Sequence, residues 1–257
     1  MQNQIDTRSI TFNIIMVNVL VFVVSVIKPG IGNYLSLHYF FNSHHYLSSL
    51  VTSDFLSGKY PELSALAREY SYYDHTGGFL PIQIISHMFM HGGIGHLFFN
   101  MFGLFMLGHI LERLWGPQRF LLFYFVTGFG AVVLHMFVQG LLVYQATGTV
   151  NPSMALLEAH PEAWSTYFST TVGASGAIFG VLTAFATLFP NTELYIMFIP
   201  VPVKAKYFVT VYIVYELWQG FAMNGGDNVA HFAHLGGALF GFLIVKYWNR
   251  NNRNSLY

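Results

Sequence analysis

Ser175 stands in the run Gly173-Ala174-Ser175-Gly176, and a serine hydroxyl becomes a nucleophile only when a base beside it takes its proton. Histidine, whose ordinary pKa lies near 6.5, suits that task at neutral pH. Two histidines three residues apart, His231 and His234, could each serve. Only His234 shares a helix face with Gly237 and Gly241, at i+3 and i+7, which favours it as the base. His96 and Asn100 lie at i and i+4, so on a helix both can point a donor at one oxygen, as oxyanion stabilisation requires. Taken alone, Gly-x-Ser-Gly is equally a small-residue patch for helix packing. Glu216 is a single carboxylate in an otherwise apolar run. It reads either as a third group orienting His234, as aspartate does in Ser-His-Asp triads, or as a hydrogen-bonded structural group facing a bundle.

Other chemistries fare worse. The absence of cysteine excludes disulfides, Cys-ligated metals and a thiol nucleophile. His87-x3-His91 and His231-x2-His234 superficially resemble histidine boxes, but Met88, Phe89 and Met90 stand where a zincin needs its glutamate. The one adjacent pair, His44-His45, lies away from both. No metal and no cofactor is therefore expected. His87 and His91 are expected to brace the first loop through hydrogen bonds, Glu112 to fix a turn through local ones, and His109 and His135 receive no role.

The elements that position these residues follow from composition. Of 257 residues 54% are hydrophobic and 9% charged, far below the roughly 25% charged residues of a soluble domain. Eleven basic against eleven acidic residues leave no net charge for holding a phosphate backbone, so nucleic acid is excluded as a partner. Uncharged stretches of 19, 37, 38, 30 and 18 residues separate Arg8 from Lys28, Asp74 from Glu112, Arg119 from Glu158, Glu162 from Glu193 and Asp227 from Lys246. About 20 apolar residues span a bilayer. Six helices are predicted, at roughly 10–27, 93–113, 118–142, 175–189, 206–223 and 228–247. The fold class is thus an all-α membrane protein, a polytopic bundle of six transmembrane helices with a long outward first loop over 28–80, in a single domain spanning 1–257.

Alternating spans put Arg8, Arg113, Arg119, Lys204, Lys206, Lys246, Arg250 and Arg253 on one side and Lys28, Lys59 and Arg68 on the other. Both termini are therefore expected to be cytoplasmic. The fourth span is too short for the membrane: fifteen residues from Ser175 to Phe189 make only about 22 Å. The polar segment before it, 151–172, reads as irregular backbone beside a wet depression. Counted at about 1.5 Å per residue from the cytoplasmic ends of their helices, Ser175, His234, Asn100 and His96 fall in one layer below the outer surface. Gly176 and Gly180 on one helix and Gly237 and Gly241 on another supply faces for close approach.

Together, His87-x3-His91-x4-His96-x3-Asn100, Leu111-Glu112-Arg113 with Gly116, Gly173-Ala174-Ser175-Gly176 and Ala233-His234-x-Gly236-Gly237-x3-Gly241 resemble the rhomboid family of intramembrane serine proteases, over roughly residues 80–248. The resemblance implies a serine endopeptidase, a hydrolase with a dyad of Ser175 and His234 and no acid. It also implies oxyanion stabilisation by His96, Asn100 and the Ser175 backbone amide. In the family an aromatic ring four residues after the serine stacks under the catalytic imidazole. That position is tyrosine in some members and Phe179 here. His91, Phe179, Gly237 and Gly241 are the implied structural supports. The implied partners are membrane lipids and transmembrane protein substrates entering from the lipid, and the implied location is the bacterial cell membrane. The alternatives are a non-proteolytic rhomboid-like binder of membrane proteins, which would require loss of the serine or the base, and the histidine-box metal enzyme.

Overall fold

The structure is a computed structural model and describes residues 9–41, 78–195, 201–222 and 228–251. Most of the predicted first loop, including His44 and His45, lies outside the described residues. In chain order the helices are α1 (Ile10–Ile27), α2 (Ile31–Leu35), α3 (Gln83–Ser86), α4 (Ile94–Trp115), α5 (Pro117–Thr147), α6 (Met154–Ala159), α7 (Pro161–Phe168), α8 (Ser175–Leu188), α9 (Ala205–Phe221) and α10 (Asn228–Asn251). A two-stranded antiparallel ribbon, β1 (Glu193–Leu194) with β2 (Val203–Lys204), leads into α9. Among the described residues three helices, α1, α4 and α5, are long and apolar enough to cross a membrane, while α8 is a shorter apolar helix.

Local chemistry explains the boundaries. Ser9 caps α1 by accepting from the Phe12 N–H. Glu112 completes that cap: its carboxylate accepts from Ser9 Oγ at 2.7 Å, Ile10 N–H at 2.7 Å and Thr11 N–H at 2.9 Å. The expectation that Glu112 acts within its own turn is thus corrected, because a carboxylate is best placed at the free N–H groups and positive dipole end of another helix. Near its middle α4 loosens into a π-helical turn, Leu104–Gly108. It stops at Gly116, whose φ of +81° suits glycine alone, and Pro117 then starts α5 at a position that has no N–H to lose. The polar segment 151–172 is not irregular as expected. It forms α6, capped by the Ser153 side chain, and α7, opened by Pro161, since both starts carry the residue types that initiate helices.

Almost every residue of α8 from Gly176 to Ala186 is buried, so a helix hydrophobic all round occupies the centre of the bundle. Helices α5, α9 and α10 surround it. Backbones touch where glycine leaves room. A Cβ on Gly237 would strike the carbonyl oxygen of Gly176, one on Gly241 would lie 2.7 Å from that of Gly180, and one on Gly176 would lie 2.5 Å from Ala131 Cβ. The outward faces carry Leu20, Ile27, Phe137, Val211, Trp218 and Phe221, all largely exposed, an arrangement suited to lipid.

Candidate active site

The chain reaches Ser175 along a path held from both sides. Leu37 and Thr171 exchange two backbone hydrogen bonds of 2.9 Å, and the Gly173 N–H donates to the His87 carbonyl at 2.9 Å. Gly173 takes φ +127°, which reverses the chain so that Ser175 becomes the first residue of α8. A Cβ there would lie 2.8 Å from the His96 ring, so the glycine also lets that imidazole lie against the backbone beside the serine. The His87 ring engages the Gln83 carbonyl through Nδ1 at 2.7 Å, and burial lowers its pKa to about 4, which keeps it neutral.

From α10, His234 Nε2 meets Ser175 Oγ at 2.9 Å. The ring is held flat by Phe179, four residues after the serine, with centroids 4.4 Å apart and planes inclined by 5°. Tyr212 of α9 backs Phe179 at 4.7 Å. The other nitrogen, His234 Nδ1, lies 3.0 Å from Glu216 Oε2, and the same oxygen lies 2.6 Å from His231 Nδ1. Glu216 is 2% exposed.

A cavity of about 350 Å³ opens above the serine, with His87, His96, His135, Thr171, His231 and His234 on its wall. His96 is exposed toward this space. Asn100, one turn deeper on α4, does not line it. Its side chain is buried, and Nδ2 has no hydrogen-bond partner among the described residues, leaving a donor unused in the resting structure. Buried His91 sets its ring edge-on to His96 at 5.0 Å. Among the described residues neither His87 nor His91 braces the first loop as expected. Gln83 does so, accepting from the His38 and Leu80 backbone N–H groups, because an amide side chain can reach two strands of chain while the histidines are turned inward.

Sequence reasoning gave His135 no role, yet its Nε2 pairs with Thr171 Oγ1 at 2.9 Å on the cavity wall. No spacing signal marks it. The sharing of Glu216 between two histidines was not anticipated: the sequence linked the carboxylate to His234 alone, and His231 entered only as a rival base. Those three side chains also bring possible metal-ligand atoms within 4.8 Å of one another, but here the atoms are engaged by hydrogen bonds among themselves.

The serine and the histidine thus meet at a histidine-lined cavity inside an apolar helical bundle. Comparison with known proteins gives the family: residues 78–250 match the Rhomboid domain. The chain belongs to the rhomboid family, an integral membrane family whose members are generally serine intramembrane proteases. It is similar to RHOMBOID-like protein 4 of Arabidopsis thaliana, 29% identical over 63% of this chain and 32% of the relative. It is also similar to the mitochondrial Rhomboid protein 1 of Saccharomyces cerevisiae, 29% identical over 65% of this chain and 41% of the relative. A third relative is Rhomboid protease GluP of Bacillus subtilis, 29% identical over 63% of this chain and 25% of the relative. The chain thus spans well under half the length of these relatives.

Proposed function

We propose that this protein is an intramembrane serine endopeptidase that hydrolyses peptide bonds in or beside the transmembrane segments of membrane proteins. The observation that carries this reading is the 2.9 Å contact between Ser175 Oγ and His234 Nε2 at the cavity floor. Six spans form one domain over 1–257, with both termini in the cytoplasm of a bacterial cell and the 28–80 loop outside. Ser175 attacks the scissile carbonyl while His234 Nε2 takes its proton. The tetrahedral oxyanion receives the Ser175 backbone N–H together with His96 and Asn100, and the unpartnered Asn100 Nδ2 supports that assignment. His234 then gives the proton to the leaving amine, and water from the cavity hydrolyses the acyl-enzyme.

The substrate must offer an unwound segment, since a helical peptide bond has its carbonyl engaged. Sequences with glycine or other helix-destabilising residues near the outer interface are favoured. Entry is sideways from the lipid past α9, whose Phe208, Tyr212, Tyr215, Trp218 and Phe221 form the wall on that side. Of these Tyr215, Trp218 and Phe221 are exposed and only Phe208 and Tyr212 pack inward, so the inner pair is what a substrate displaces. The test is cleavage of a membrane-anchored reporter carrying a glycine-containing transmembrane segment. Wild type is expected to cut it, and Ser175→Ala to express normally and cut at less than about 1% of the wild-type rate, in line with loss of a nucleophile. Residual cutting above that level would overturn the assignment.

A further inference from the structure

Glu216 is a carboxylate buried among apolar helices, which is costly unless donors satisfy it. Among the described residues its donors are two imidazole nitrogens on α10: His231 Nδ1 at 2.6 Å and His234 Nδ1 at 3.0 Å, on the same oxygen. A carboxylate only accepts hydrogen bonds, so each histidine must carry its proton on Nδ1. For His234 that leaves the Nε2 lone pair facing Ser175 Oγ at 2.9 Å. The opposite tautomer would place a proton on Nε2, where it could not accept the one from serine. The two contacts of His234 are therefore linked: what Glu216 takes at one nitrogen decides what the other can do.

We infer that Glu216 is a positioning residue that fixes His234 in its proton-accepting tautomer and stabilises the imidazolium formed during attack, and that His231, as second donor, holds the carboxylate in place. This rests on the proposed protease reading and adds an acid, acting through the base, to the serine-histidine pair. The protons balance. The Ser175 Oγ–H proton moves to His234 Nε2 as Oγ bonds to the carbonyl carbon. The imidazolium keeps its Nδ1–H on Glu216, which remains ionised. The Nε2 proton then leaves with the amine. A positive charge thus arises 3.0 Å from a fixed negative one whose carboxylate is buried, which limits screening from that side. Phe179 below the ring offers only its apolar face, so among the described residues Glu216 is the polar group that holds His234 Nδ1.

A purely structural role, tying α9 to α10, makes different demands, and the experiment separates the two. Wild type, Glu216→Gln, Glu216→Leu and His231→Ala, as full-length chains in detergent micelles, are compared by the rate at which a fluorophosphonate labels Ser175 and by kcat and KM on the reporter. For Glu216→Gln, which keeps size and helix contact, labelling rate and kcat are expected to fall at least about tenfold with KM within about twofold. Glu216→Leu is expected to lose on the order of 100-fold or more, as when a triad acid is removed. His231→Ala is expected to lose about tenfold or less, the equivalent of one ordinary hydrogen bond, because His234 still holds the carboxylate. Wild-type labelling and kcat in Glu216→Gln, or a loss carried wholly by KM, would overturn the inference. If Glu216→Leu does not fold, the glutamine variant decides. Failure of the wild type itself to label at Ser175 would instead strike the protease reading, so the two failures are distinguishable.

Discussion

At the scale of single residues, the contact between Ser175 and His234 was legible because the chemistry and the depth of the two residues agreed. A serine opening a short helix and a histidine on a glycine-lined face of another leave few alternatives. Spacing left two candidate bases, and the structure turns them apart: Nε2 of His234 meets Ser175 Oγ, whereas His231 Nδ1 is turned to Glu216. His234→Ala is expected to abolish reporter cleavage to below about 1% of wild type, while His231→Ala keeps about a tenth or more, measured at equal amounts of folded protein. The reverse order would move the base to His231. Glu112 and His135 were not legible in this way. Their partners, Ser9 to Thr11 and Thr171, are brought to them by tertiary packing, and no local pattern encodes contacts between residues 36 to 103 positions apart.

At the scale of elements, charge-free stretches found where helices run, and glycine spacing found which faces meet. The short α6 and α7 were missed because membrane hydropathy ignores polar segments, although Ser153 and Pro161 are ordinary helix starters. The contact between α8 and α10 is the element on which the site depends. A Cβ at Gly241 would lie 2.7 Å from the Gly180 carbonyl oxygen, and backbone cannot swing aside as a side chain can. Gly241→Val is therefore expected to cost about 1–3 kcal/mol by overpacking and to part His234 from Ser175. A displacement of about 1 Å in a reacting pair costs on the order of 100-fold in rate, so specific activity is expected to fall far more than the amount of membrane-inserted protein. Wild-type cleavage by Gly241→Val would mean that the two helices do not rely on this approach.

For the whole molecule, the exterior is apolar, as suits a bilayer, while a histidine-lined cavity lies at Ser175 within it. The part of the chain matching the Rhomboid domain, 78–250, contains every residue proposed for the chemistry. Because the proposed chemistry needs only Ser175 and His234, with Glu216 and His231 hydrogen-bonded around the base, reporter cleavage is expected to survive a strong chelator such as EDTA. Loss with EDTA and recovery with zinc would assign these side chains to a metal instead. The most direct measurement of the central claim is the position of a covalent fluorophosphonate adduct on the purified protein, read by mass spectrometry. A single adduct on Ser175, lost in His234→Ala, is the expected result. An adduct on another residue, or undiminished labelling without His234, would contradict a serine nucleophile activated by that histidine.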